Sequence, residues 1–303
     1  MKKIFFILFF LVALSGYAVS EDDTSQQIDE RFQKANEWLK KENLSVTKSP
    51  ADAFMNDYVM VVAEGLPSAT AKTPAQRRIT AERAATALAY RQLAEFLEGV
   101  AVVGDTLVKD AELQYDIVRT AVAGFVKGAQ VVYKEYNDKE GSALVIVKVG
   151  MTGPESFAKV MYDKLIGDPK IKKEVVGDKP TYKPTPITLE EKYDGLIVDA
   201  TEQNFRPALI NRIFSPTGEV IYDPAKISQK VLVEQGCGDY TNSVDKAKAA
   251  LGARGVKNPL VVKATATITP SDIQVSEEDA VKIYSANQKS GFLSGAKVAF
   301  VLK

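Results

Sequence analysis

The sequence predicts an α+β fold: two α/β blocks, each a mostly antiparallel sheet with helices packed on it, after a signal peptide. Three observations carry that reading. Valine-rich runs such as DYVMVVAEG, ALVIVKV and DGLIVDA alternate with longer stretches whose apolar residues recur at helical spacing. The turn-rich NDKEGS sits between two strand-like runs, as in a hairpin. Prolines at 169, 180, 184 and 186 mark a change of composition that divides the chain.

Taken in order, residues 1–20 begin with Lys2 and Lys3, continue with an apolar run from Ile4 to Leu14 and end in small residues. This is the pattern of a secretory signal peptide, with cleavage fitting after Ala18 or Ser20. The apolar run falls short of the ~20 residues of a spanning helix. Cleavage removes two basic residues and leaves a slight acidic excess. Residues 13–21, ALSGYAVSE, hold no cysteine to carry a lipid. The expectation is a periplasmic or outer-membrane-associated protein with no transmembrane span after cleavage.

Ile28, Phe32, Ala35, Trp38 and Leu39 fall on one helical face, which predicts a helix over about 25–42 in an arm spanning 21–50. A first module follows over 51–166. Its strand at 57–65 ends in glycine, and Thr73-Pro74 opens a helix over 74–98. VAVVGDTLV predicts a strand over 100–108 with a glycine interruption. Asp110 can cap a helix over 111–127, whose Leu113, Ile117, Ala121 and Phe125 recur every fourth residue. The hairpin and a short helix over 154–166 complete the module.

A Pro-rich linker over 167–192 leads to a strand-rich C-terminal domain over 193–303. DGLIVDA predicts a buried strand, and PALINRIFSPTGEVIY two strands around an SPTG turn. SVDKAKAAL is a short helix, and NPLVVKATATI and DIQVS are strands. SEEDAVKIYSANQ is a helix that Ser276 can cap. AKVAFVLK is a final strand. The two blocks show no internal repeat.

On the helix over 74–98, Ala81, Ala85, Leu88, Ala89, Leu93, Phe96, Leu97 and Val100 share one broad face, with Arg77, Thr80, Arg91, Glu95 and Glu98 opposite. Small residues on the inner face let a helix approach a sheet closely, so the stretch reads as a strut. Arg78 and Glu82 point into the apolar arc. They pair along the helix or mark a polar pocket at its start.

The run PAQRRITAERAATALAYRQLAEFLEGVAVVGDTLV, between a strand and a helix, resembles the signature of the twenty-kilodalton bacterial surface-lipoprotein family. The flagellar assembly proteins T and P carry similar modules. The residues that carry the likeness are Ala89, Tyr90, Arg91, Leu93, Ala94, Glu95, Gly99, Val100, Val102, Thr106 and Val108. It covers roughly residues 55–150. YDGLIVDATEQNFRPALINRIFSPTGEVIY is similar to the C-terminal extension of larger members. The lipid-bearing cysteine of that family is missing here. The resemblance implies an envelope or flagellar scaffold, with partners among envelope or flagellar proteins and no catalytic residues.

Composition narrows the chemistry further. The formal net charge is zero, which gives nucleic-acid phosphates no basic excess to meet. The chain has no histidine, which removes histidine-dependent triads and histidine-held zinc or haem. Its one cysteine, Cys237, reads as a loop or core thiol. No phosphate-binding glycine loop is present. Two S-x-x-K matches, Ser45–Lys48 and Ser243–Lys246, lack the partner motifs of serine acyl-enzymes. Glu277, Glu278 and Asp279 read as the acidic start of a helix, and Lys170, Lys172 and Lys173 as a solvated run. The reading is therefore a non-enzymatic exported protein that binds or scaffolds, with no cofactor and no metal. The alternative is a carboxylate-based hydrolase acting on an envelope polymer.

Overall fold

The computed structural model describes residues 33–303, so the expected signal peptide over 1–20 and the start of the arm lie outside the described residues. The chain divides into two compact units, Met1–Leu44 and Ser45–Lys303. In the first, helix α1 (Gln33–Lys41) lies within the expected 25–42 helix. It ends in a left-handed turn at Asn43 (φ 52°). The Asn43 and Leu44 amides donate to the carbonyls of Lys40 and Leu39 at 3.2 and 2.8 Å, which satisfies groups a helix end leaves open.

The second unit starts with α2 (Pro50–Asn56), capped by Ser49 and carrying proline in its first turn. Strand β1 (Tyr58–Gly65) follows. Helix α3 (Pro74–Glu98) begins as predicted: Thr73 and Gln76 cap each other and Pro74 fills the first turn. Its buried face is Ala81, Ala85, Ala89, Leu93 and Leu97. Leu88, placed on that face by the sequence, is 39% exposed. The true stripe is narrower than the arc first drawn.

The strand expected over 100–108 is two short antiparallel strands, β2 (Ala101–Val103) and β3 (Thr106–Leu107). Gly104 (φ 60°) turns the chain between them. The helix expected over 111–127 is two helices, α4 (Val108–Gln114) and α5 (Asp116–Lys127), broken at the extended Tyr115. The inner face of α5 is also one residue on from the stripe read in the sequence. Val118, Val122 and Val126 are the buried stripe of α5, while Leu113 is 84% and Ile117 48% exposed. The hairpin forms as read: β4 (Gln130–Asn137) pairs with β5 (Ser142–Gly150), and β5 also pairs with β1, all antiparallel. Helix α6 (Phe157–Leu165) is capped by Ser156.

The 167–192 segment is not a free spacer. It holds a short helix α7 (Pro169–Ile171) and a wide turn over 172–176, and it buries Ile171, Val176 and Tyr182. Tyr182 and Pro180 bond the backbone of Val220 at 2.9 and 2.8 Å. The Ile187 amide donates to Ser285 Oγ at 3.0 Å. It runs as a strap along the edge of the second sheet.

That sheet has seven strands in the order β8-β7-β11-β10-β6-β12-β9. They are β6 (Gly195–Asp199), β7 (Arg212–Phe214), β8 (Val220–Tyr222), β9 (Asp239–Thr241), β10 (Pro259–Thr269), β11 (Asp272–Val275) and β12 (Val298–Val301). The α+β class holds, but this sheet departs from the expected mostly antiparallel arrangement. β6 pairs parallel with β10 and β12, β12 with β9, and β11 with β7; the pairs β10–β11 and β7–β8 are antiparallel. The physical reason is burial on both faces, where parallel strands belong. Leu196, Val198, Val298 and Phe300 face the main core, while Ile197, Ala299 and Val301 face a smaller one with Ala247 and Leu251. Ala247 and Leu251 come from helix α9 (Val244–Ala253), after α8 (Gln229–Gln235). Helix α10 (Glu277–Ser290), capped by Ser276 as predicted, lies on the main core through Ala280, Ile283 and Ala286.

The main core is continuous through both blocks. Backbone bonds also join them: Leu209 and Ile210 donate to Ala101 and Val102 at 3.0 and 2.8 Å. The blocks expected to pack independently therefore form one body, Ser45–Lys303.

Candidate functional site

Within that body a cleft of about 420 Å³ opens where the end of α2, the loop after β5, the α8–β9 segment and the end of α9 meet. Asp57 ends α2 in the left-handed region (φ 62°), a conformation aspartate adopts more readily than most residues. Its carboxylate accepts from the Thr152 amide at 3.0 Å and from Thr152 Oγ1 at 2.8 Å. Burial raises the Asp57 carboxyl above the usual aspartate range. The Thr152 bonds pull it back and the charge of Asp239 adds to the rise.

Asp239 opens β9, and its Oδ2 accepts from Arg254 Nη1 at 2.9 Å. Arg254 Nη2 donates to the Gly295 carbonyl at 3.2 Å, so the guanidinium is held on two sides. Cys237 lies in the stretch GCGDY, residues 236–240. Gly236 (φ 68°) and Gly238 (φ 156°) take backbone shapes that side chains disfavour. A methyl on Gly238 would also stand 2.9 Å from the Val298 carbonyl oxygen.

The floor is a buried polar network. Tyr240 donates to the Ala208 carbonyl at 3.1 Å and also bonds Asn211 Oδ1. Cys237 Sγ lies 3.0 Å from the Tyr240 hydroxyl. Tyr222 donates to the Cys237 carbonyl and Tyr162 to the Leu209 carbonyl, both at 2.6 Å. Burial pushes all three phenols well above the usual tyrosine range, so they stay neutral donors. Cys237 is free and buried, and burial raises its thiol as well. It is a core thiol without thiolate character, as the sequence suggests. Phe54 meets the Tyr240 ring edge-on at 5.3 Å, tying α2 to β9.

Residues singled out in the sequence lie elsewhere. Glu82, its side chain 18% exposed, sits between Arg78 Nε at 2.9 Å and Lys134 Nζ at 3.2 Å. Arg78 foremost, then Lys134, hold its carboxyl below the usual range. A shallow hollow beside it includes Ile79, Thr86 and Tyr90. Thus the helix is a strut with an ionic clamp on its first turns. Among the other signature residues, Ala89, Leu93 and Val100 are buried, and Tyr90 donates to the Ala129 carbonyl at 3.2 Å. Arg91 and Glu95 form an exposed pair at 2.9 Å, Ala94 packs half-buried, Gly99 caps the helix and Thr106 lies in β3. Ser243 caps α9, so its S-x-x-K spacing is a helix start. Glu277 accepts from Tyr182 at 2.6 Å and Glu278 pairs with Lys282 at 2.6 Å. Lys172 is not purely solvated: it donates to the Ala225 carbonyl at 2.6 Å.

Sequence reasoning missed Asp57, Thr152, Asp239 and Arg254. No local spacing joins them. Among the described residues, no three His, Cys, Asp or Glu side chains gather closely enough to hold a metal ion. Nor is any helix there long and apolar enough to cross a membrane.

Residues 195–303 match the family model described as Treponema pallidum Tp0624, second domain. The matched stretch begins with β6 and holds all seven strands of the second sheet. A comparison with curated proteins gives no match. The resemblance to the surface-lipoprotein family and the flagellar assembly proteins T and P is corrected by this finding, because the matching family is a different one. Its signature residues have a plainer account: the alanines serve close packing, and Arg91–Glu95 is an ordinary i,i+4 pair.

Proposed function

We propose that the protein is a non-enzymatic, exported envelope protein that acts by binding, and that the Asp57–Asp239 cleft is where it binds. The leader-like first twenty residues support export. The observation that carries the binding reading is the cleft itself. It is concave, it is mostly apolar, and a few polar groups converge on it from both blocks, as in ligand sites. The flagellar association rested on the corrected resemblance and is not carried forward; the partners proposed are envelope proteins.

One observation favours a second reading. Asp57 and Asp239 line one cleft, burial raises the Asp57 carboxyl, and pairs of carboxylates run glycoside hydrolysis. A pull-down from native envelope with the intact chain, repeated with Asp57→Asn, separates the two. Binding predicts captured partners that the variant loses. Turnover of purified envelope polymer that Asp57→Asn abolishes, with no partner captured by either protein, would establish the hydrolase instead.

A further inference from the structure

The charge and shape of the cleft narrow what it can take. We propose that it accepts an organic cation: an ammonium group carried on an apolar stem. This inference rests on the binding reading above and adds the class of ligand.

The cleft is large enough for a side-chain-sized group, with Phe54, Met55, Met151 and Leu209 among its apolar walls. Its charged side chains are Asp57, Glu234, Asp239 and Arg254. Three are carboxylates. The single cation, Arg254, already spends Nη1 on Asp239 and Nη2 on the Gly295 carbonyl, and its side chain is only 13% exposed. Arg254 is thus committed to the wall, and an entering anion would meet the acidic excess.

A cation meets the opposite situation. Asp57 and Asp239 both line the cleft, and among the described residues Asp57 has no cation bonded to its carboxylate, so an ammonium entering there meets a carboxylate without a cationic partner. Asp239 is bonded to Arg254 through Oδ2, which leaves Oδ1 to accept. Glu234 stands exposed at the mouth, where it attracts a cation before entry. The apolar walls then remove the stem from water. A free amine and the lysine side chain of a partner protein present the same group.

Isothermal titration of the intact chain with n-pentylammonium, and with pentanoate as the anion of similar shape, tests this. A peptide containing one lysine, against the same peptide with norleucine, separates the two sources. The expected result is saturable binding of pentylammonium at least tenfold tighter than pentanoate. Asp57→Asn should weaken it about tenfold or more. Glu234→Gln, at an exposed position that leaves the fold intact, should weaken it by a smaller factor, and Asp178→Asn outside the cleft should leave it unchanged. Preference for the lysine peptide over pentylammonium assigns the cation to a protein partner; the reverse assigns it to a free amine. Pentanoate binding as well as pentylammonium, indifference to both Asp57→Asn and Glu234→Gln, or no binding of any cationic probe would overturn the inference. Partners captured from the envelope alongside any of those results would leave the binding reading standing.

Discussion

Gly65 sets the distance between β1 and α3. A methyl built there would lie 2.2 Å from the Ala85 nitrogen and 2.3 Å from the Ala81 carbonyl oxygen, so backbone meets backbone. Such a contact cannot be relieved by turning a side chain. Ala89→Leu on the same face is expected to cost about 1–3 kcal/mol through overpacking. Gly65→Ala should cost at least as much. Arg91→Ala on the exposed face should melt with the wild type, and equal losses for all three variants in thermal melts would contradict the strut. Two carboxylates carry opposite pH signatures. Asp57 has a raised affinity for its proton in the folded state, so its contribution to stability is present at low pH and is lost as pH rises through its folded titration. Asn tolerates the left-handed backbone, so Asp57→Asn is expected to hold its melting temperature better towards neutrality than the wild type. Glu82 is depressed by Arg78 and Lys134, so it stabilises above the ordinary glutamate range and loses that contribution as pH falls through its folded value. Glu82→Gln should flatten the acid side of the stability profile, which melts over a pH series would read.

Between elements, the strongest polar tie is Arg212 on β7 with Asp272 on β11. The pair is two-pronged, at 2.9 and 2.6 Å, and both side chains are nearly sealed from water, at 7% and 2% exposure. Arg212 Nη1 also donates to the Val176 carbonyl at 3.0 Å, so one guanidinium joins the sheet to the strap. Asp272→Asn leaves a buried charge without its partner and should cost about 3–5 kcal/mol. Replacing the two together by Met and Leu should recover most of that loss, as a double-mutant cycle by denaturant unfolding would show. The elements legible in the sequence are those fixed by neighbours in the chain. Thr73-Pro74 starts α3, NDKEGS turns the hairpin and Ser276 starts α10, because caps and turns act over three or four residues. The parallel pairing of β6 with β10 and β12 was not legible, because two-sided burial is decided by distant helices. The three-residue β9 gave too short a pattern to read. The stripe read through Leu113, Ile117, Ala121 and Phe125 is one residue out of phase within α5, whose inner face is Val118, Val122 and Val126, and the break at Tyr115 puts Leu113 on a separate helix. The candidate site was the least legible part: Asp57, Thr152, Asp239 and Arg254 belong to four separate segments, and only the fold gathers them.

For the whole body, the shared core and the strap have a measurable consequence. Protease cleavage between residues 183 and 192 should leave two fragments that elute together, since Leu209 and Ile210 still bond Ala101 and Val102 and one core runs through both. Fragments that separate on a sizing column without denaturant would contradict the single body.

The seating of β12 also governs timing. It lies between β6 and β9, pairing Val298 with Leu196 and Phe300 with Tyr240, yet it follows both in the chain. Closing such a distant pairing is entropically slow. Until β12 is in place, the edge strand β9 has no partner and β6 is paired on one side only. The β6–β12–β9 side of the sheet is therefore expected to be the last part of the body to gain protection during refolding, which pulsed hydrogen exchange would read.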